Sequence, residues 1–571
     1  MPQSSLNKNR ILIYFLAFIP FAWGFWTFHH YEVMSKFTLM QGPTDPQQHI
    51  FQFENYFQAL LGHTSVVSPP IFYPTKGVLG YCDAMAGAAP IYCSFRLLHL
   101  DMYNATLATV LVFNILNFLA CFWFLKKGFN LTTFPSSIGA AFFTFNSVKY
   151  NQLEHYDFQA LYFLPIILLC FVLFIRRSSQ TSEKIKILWL AAVLIDVQLL
   201  TSFYMGWFLA IWGIALIFMF LIFEHKDFFS RSWKAVFPPS RFNYLAALFI
   251  LVVGLIPFLA LYLPVLHLKG PRPLPDVINN MPTLKALMWM SDKNYVWGWL
   301  SHFNSFANMD CEWENRLGLG LLFSLFWLWV TVKAVRNIPN LTHGKAPAFP
   351  FGKDSKAQGQ SVFETLVILS VWFCVVLILK RHGQPILWQW IYNWVPGGKA
   401  VLCTSRFGVV LMLPVSMIFA FEVQRWIECF SAIKEPVKKI GAAMLMGVVL
   451  SGIWFEQMGG SPCGVISVTD ARNDTMRLAK MIPKDATAFY ISGTPGDSYF
   501  ADRGECQTGA MLVAIVSGVP TLNGYYTSGP PGWNLRGIDQ PDYQKIVAQW
   551  ILDHHLGNNV FDLKLKRENG N

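Results

Sequence analysis

The sequence predicts an all-α polytopic membrane protein with a small soluble α/β domain at its C-terminal end, and three observations carry that expectation. Only 13% of the 571 residues are charged and 54% are hydrophobic, against about 25% charged in a soluble protein. The apolar residues fall into many separate runs, most of them near the ~20 residues that a bilayer crossing needs. Lys and Arg are sorted between alternating loops instead of lying along one stripe, so the net charge of +11 does not point to nucleic acid.

Taken in order, about eleven spans are expected, at 11–28, 104–125, 134–146, 158–175, 187–202, 204–223, 244–266, 317–332, 362–379, 408–424 and 441–456. Lys8 and Arg10 precede the first run and no A-x-A site follows it, the pattern of an uncleaved signal-anchor. Six segments on one side (1–10, 126–133, 176–186, 224–243, 333–361, 425–440) hold 21 Lys and Arg, and four loops opposite (29–103, 147–157, 267–316, 380–407) hold 13 in a longer total length. The positive-inside rule then places the N-terminus in the cytoplasm and the tail from about 457 on the outer side. The tail has alternating and turn-rich segments such as DATAFYISG, which suit a small α/β fold.

The outer loop 29–103 is long, aromatic and punctuated by proline. In HIFQFENYFQALLG, Ile50, Phe53, Phe57, Leu60 and Leu61 recur at helical spacing, and AAPIYCSFRLLHL suits a second such helix. Both are expected to lie in the interface plane. The Trp-rich stretch 381–407 suits the membrane boundary. No internal repeat or pair of glycine-broken helices is evident, which argues against an inverted-repeat transporter. The ten cysteines show no CxxC and no metal-ligand spacing. On an oxidising side, Cys82 could pair with Cys93, and Cys463 with Cys506.

Asp45, between Pro43 and Pro46 at the head of the first amphipathic helix, is the leading catalytic candidate. Either it caps the helix, as Thr44 also could, or the prolines hold a carboxylate where a lipid-borne head group would meet a general base. His49 lies one turn on, either orienting Asp45 or sharing a metal with it, and Glu54 suits a solvated face equally well. Asp83, among small apolar residues, is either a cap or a desolvated functional acid. Glu154, His155 and Asp157 are either a cavity lining or a polar hairpin turn. Lys76, Arg381, His382, Lys399 and Arg406 are the outer cations, suited to a phosphate leaving group or to anchoring helix ends. Asp196 within an apolar run suits a proton pathway.

One span, a long outer loop with an early acid and two interfacial helices, then a helical bundle, together resemble the GT-C fold membrane glycosyltransferases, in a bacterial branch. GPTDPQQHIFQFENYFQ, FNSVKYNQLEHYDFQALYFLPI, VPGGKAVLCTSRFG and AMLVAIVSGVPTLNGYYTSGPPGW are among the strings that carry the resemblance. It implies an enzyme of the bacterial inner membrane that takes sugar from a polyprenyl-phosphate carrier and passes it to a lipid, glycan or protein on the periplasmic face. It also implies Asp45 as the general base. T-D-P stands where many relatives have two acids, so no cofactor is fixed and Mg²⁺ or Mn²⁺ stays open. Arg381 and Arg406 are candidates for the lipid phosphate. A lipid or polysaccharide transporter working through Asp196, and an assembly factor for an envelope polymer, are the alternatives.

Overall fold

The computed structural model describes residues 3–176, 181–236, 241–342, 357–493 and 503–565. The chain starts with helix α1 (Gln3–Met34), strand β1 (Leu39–Gln41) and helices α2 (Asp45–Leu60), α3 (Ala89–Leu97), α4 (Met102–Trp123) and α5 (Thr133–Thr144). The bundle continues through α6 (Phe163–Arg176), α7 (Thr181–Thr201), α8 (Phe203–Val236), α9 (Arg241–Lys269), α10 (Leu321–Thr342), α11 (Ala357–Ile378), α12 (Phe407–Ser431) and α13 (Pro436–Glu456). The tail adds β2 (Val465–Ser467), α14 (Val468–Met481), β3 (Ala488–Ser492), α15 (Arg503–Ser517), α16 (Tyr543–Asp553) and β4 (Val560–Lys564).

A helix stands at each of the eleven expected runs, but among the described residues eight are long and apolar enough to cross a membrane. The first run, 11–28, lies partly outside the residues whose side chains are described, and the side chains of α7 are described only from residue 185. Helix α5 falls short for a physical reason. At 1.5 Å per residue the 12 residues of α5 reach only about 18 Å, short of a ~30 Å hydrocarbon core. From Pro135 onward α5 is buried inside the protein, packed against α1, α4 and α12. Its Gly139 lets α12 come close, since a Cβ there would lie 2.8 Å from Ala420.

The two amphipathic helices of the first outer loop are present, but α2 is not mainly a lipid-facing helix. Ile50, Phe51, Phe53 and Phe57 are buried in a protein core shared with Met511, Leu512 and Ile515 of α15. Only its end, Leu60 and Leu61, together with Leu97 and Leu98 at the end of α3, exposes large apolar side chains. Helix α3 is tied back to α2 by Arg96, which donates from Nε to Glu54 at 2.7 Å and from an Nη at 3.0 Å. Glu54 is thus a buried ion-pair partner, not part of a solvated face.

The tail does form an α/β layer. Strands β3 and β4 run parallel, with Ile491 opposite Leu563, over a core that includes Phe489, Leu522 and Trp550. It is also stitched to the first outer loop. β1 pairs antiparallel with β2, Met40 facing Ile466. The Phe72 and Tyr73 amides donate to the Asn523 and Thr521 carbonyls, both at 3.0 Å, and the Trp550 indole donates to the Tyr73 carbonyl at 2.9 Å. Neither expected disulfide forms, because Cys82, Cys93 and Cys463 each carry a free thiol. Cys506 lies in the tail core, whereas Cys463 sits beside Gly42.

Candidate active site at the head of the second helix

The turn Gln41–Asp45 is fixed from both sides. Gly42 has φ +57, and a Cβ there would lie 2.9 Å from the Pro46 ring and 3.1 Å from Cys463 Sγ. A left-handed backbone and this crowding both call for glycine. Behind it, the Gln41 amide donates to Glu32 at 3.1 Å and its carbonyl oxygen accepts from the Ser461 hydroxyl at 2.7 Å. Pro46 supplies a residue without an N–H in the first helical turn, where no intrahelical acceptor would serve it.

Asp45 is the first residue of α2, and the N-cap position is Thr44, which makes no side-chain cap bond. The carboxylate is 23% exposed and turns to His155, with Oδ2 3.2 Å from Nδ1. Nε2 of the same ring lies 3.3 Å from an Arg406 guanidinium nitrogen. Guanidinium only donates, so His155 accepts at Nε2 and carries its proton on Nδ1, aimed at Asp45. Arg406 in turn grips Glu314 through two nitrogens, Nε at 3.1 Å. It is sandwiched by aromatic rings, 4.8 Å from the Phe158 centroid and 5.4 Å from Tyr204.

The chain Asp45–His155–Arg406–Glu314 therefore joins residues from four separate stretches of sequence. Burial raises the Glu314 carboxyl, but the Arg406 charge and hydrogen bond, together with His155 and Cys403, outweigh it and set the group at about 2. Glu314 neutralises Arg406, which leaves Asp45 as a carboxylate without a cation of its own. Glu154, 3.7 Å from His155 Nε2, is pushed up by burial and by the Asp45 and Glu314 charges.

A second cluster backs the first. His49 stacks on Tyr156 and its Nε2 lies 3.5 Å from Asp157 Oδ1. Burial lowers it to about 3, so the ring is neutral. Asp157 meets Asp83, which accepts from the Phe203 amide at the start of α8 at 2.9 Å and from the Ser202 hydroxyl at 3.3 Å. Burial pushes Asp83 up despite these bonds. His49, His155 and Asp157 bring one ligand atom each within 4.8 Å of one another, and the buried Nδ1 of His49 has no partner. His155, however, already donates from Nδ1 to Asp45 and accepts at Nε2 from Arg406, so neither of its nitrogens is left for a metal and the three residues do not fit a divalent cation while that chain is in place.

Other candidates lie elsewhere. Arg381 and His382 form the exposed tip of a hairpin at 380–385, whose buried member is Lys380, bonded to the Ile278 and Asn279 carbonyls and to Asp310. Lys76 is exposed and lines a groove between the first outer loop and residues 514–520, none of whose lining belongs to the Asp45 cluster. Lys399 lies over the Tyr392 ring, 5.9 Å from its centroid. Asp196 packs into a notch at Gly254 of α9, where a Cβ would meet its Oδ2 at 1.9 Å.

Sequence reasoning missed Glu314, in DCEWENR, and three cations. Lys269, at the end of α9, lies over the Tyr81 ring, Arg272 donates to the Ala400 carbonyl at 3.2 Å and Arg536 to the Tyr526 carbonyl at 3.3 Å. Tyr525 was also missed. Burial first, and then the Asp45 charge, pushes its hydroxyl up.

No family model matches the chain, and no curated protein matches it. Two glycosyltransferases share its outline. The archaeal oligosaccharyltransferase AglB from Archaeoglobus fulgidus, in complex with an inhibitory peptide and a dolichol-phosphate, is similar at 11% identity and TM-score 0.47, over 91% of this chain and 65% of that one. The arabinofuranosyltransferase AftD from Mycobacteria is similar at 12% identity and TM-score 0.47, over 85% of this chain and 30% of that one. The chain thus spans less than two thirds of either, and so loose a likeness carries no residue role across.

Proposed function

We propose that the protein is a GT-C-type membrane glycosyltransferase that moves a sugar from a polyprenyl-phosphate carrier to a hydroxyl on the non-cytoplasmic face. The observation that supports this most is the Asp45 carboxylate, partly exposed, free of any capping bond, and oriented by His155. In this reading the acceptor hydroxyl gives its proton to Asp45 as its oxygen attacks the anomeric carbon. The bond from that carbon to the phosphate oxygen breaks, its electron pair leaves with the phosphate, and configuration inverts. His155 keeps the carboxylate aimed, and the Arg406–Glu314 pair fixes His155.

The departing phosphate needs positive charge. Arg381 and His382 stand on an exposed hairpin with no contact to the Asp45 cluster among the described residues, and Arg406 is neutralised, so Lys269, Arg272 and Arg536 take that role. The expected arrangement, with the N-terminus in the cytoplasm of a bacterial inner membrane and residues 457–571 a periplasmic domain, belongs to the same proposal. It is tested by giving the full chain in lipid vesicles a polyprenyl-phosphate hexose or pentose and reading the anomeric configuration of the product by NMR. Inversion is expected, and retention would rule out direct displacement.

A further inference from the structure

The turn that carries Asp45 and the loop that carries His155 come from distant parts of the sequence, yet one buried network joins them. Its centre is Glu32, near the end of α1, whose Oε1 accepts from the Gln41 side chain at 3.1 Å. Gln41 opens the turn that ends at Asp45. On the other side, Glu32 Oε2 lies 3.8 Å from Nδ1 of His29, where α1 leaves helical geometry with φ −122 and ψ 21. The Asn114 side-chain nitrogen lies 2.7 Å from His29 Nε2. An amide nitrogen only donates, so His29 accepts at Nε2 and carries its proton on Nδ1, facing Glu32. Asn114 Oδ1 in turn accepts from Lys149 Nζ at 2.9 Å. Gln41, Glu32, His29, Asn114 and Lys149 are all buried.

Lys149 belongs to the short helix Ser147–Tyr150, and the backbone carries the link on to the site. The Lys149 carbonyl accepts from the Gln152 amide, and the Gln152 carbonyl from the His155 amide, both at 3.1 Å. Along the side chains the donors run one way, from Lys149 through Asn114 and His29 toward Glu32, and Gln41 meets them from the opposite side. A carboxylate, which only accepts, suits the place where two donors converge. Coupled bonds of this kind stiffen one another and leave few alternative arrangements.

We propose that Glu32 is a positioning residue of the transfer reaction, which holds the Asp45 turn in register with the His155 loop and so preforms the 3.2 Å contact between those two side chains. This rests on the glycosyltransferase reading of the same site. Glu32 acts at a distance, through Gln41 on one side and through His29, Asn114 and Lys149 on the other. A misplacement of about 1 Å can cost about 100-fold in rate, so loss of the register should lower kcat about 10- to 100-fold and leave the donor KM unchanged.

The test uses the full chain in lipid nanodiscs with Glu32→Gln, His155→Ala and the double variant, assayed with a polyprenyl-phosphate hexose. Glutamine has the shape of glutamate but turns a donor toward either His29 or Gln41. The expected results are a kcat loss in Glu32→Gln without a KM change, and a double variant no slower than His155→Ala, because the register has nothing left to align once the imidazole is gone. A residue that only stabilises the bundle would keep the parental kcat in the folded protein, or would multiply its loss with that of His155→Ala, and either result overturns the positioning role. Gln41→Met cuts the same network at the turn and leaves Glu32 and Lys149 in place, so it should show the same kcat loss. A parental kcat there overturns the role even where Glu32→Gln does not fold. Asp45→Asn turning over at the parental rate instead removes the enzymatic reading, and the positioning role with it, whereas an enzyme that needs Asp45 and tolerates both network variants loses the positioning role alone.

Discussion

At the residue scale, Asp45 was legible because local chemistry announced it. Gly42, Pro43 and Pro46 restrict the backbone around one acid in an apolar chain, and the structure shows why the glycine is needed. Its partners were less legible. His155 was visible as one polar residue in a short loop, but Glu314 lies 269 positions from Asp45. Sequence gives charge without distance, which is also why Arg381 and His382 looked equivalent to Arg406. Glu314→Gln should leave the Arg406 guanidinium uncompensated and destabilise the protein by about 3 to 5 kcal/mol, measured by denaturant unfolding in detergent. Glu314 has its folded value depressed to about 2 from 4.5. Its contribution is therefore fully present above pH ~4.5 and is lost as pH falls toward 2. In Glu314→Gln that part of the acid-induced loss should vanish.

At the scale of elements, the helices were legible from apolar runs, and among the described residues eight of them are long and apolar enough to span. Helix α5 reads like the others in composition yet is a short helix buried within the protein, because hydropathy cannot separate burial in protein from burial in lipid. The same ambiguity placed α2 at the lipid surface when most of its apolar face meets α15. The α7–α9 pair depends on Gly254, so Gly254→Ala should lower the melting temperature by forcing Asp196 out of its notch. The exposed hairpin at 380–385 makes the opposite prediction. Arg381→Gln with His382→Gln should leave the transfer rate within about twofold of the parent, since neither meets the Asp45 cluster.

At the scale of the whole molecule, the α/β character of the tail was legible from its alternating segments, but its union with the first outer loop was not. Long-range pairing such as Met40 with Ile466 leaves no periodicity to read. Removing residues 457–571 would expose Ile50, Phe51 and Phe53, which share a core with α15. The truncated chain should aggregate on extraction into mild detergent, as size-exclusion chromatography would show. The central claim concerns one carboxylate, and the most direct measurement is the rate of sugar transfer by Asp45→Asn from a polyprenyl-phosphate donor. The account predicts a loss of about 10²- to 10⁴-fold, with expression and donor binding retained. Transfer at the parental rate would contradict it.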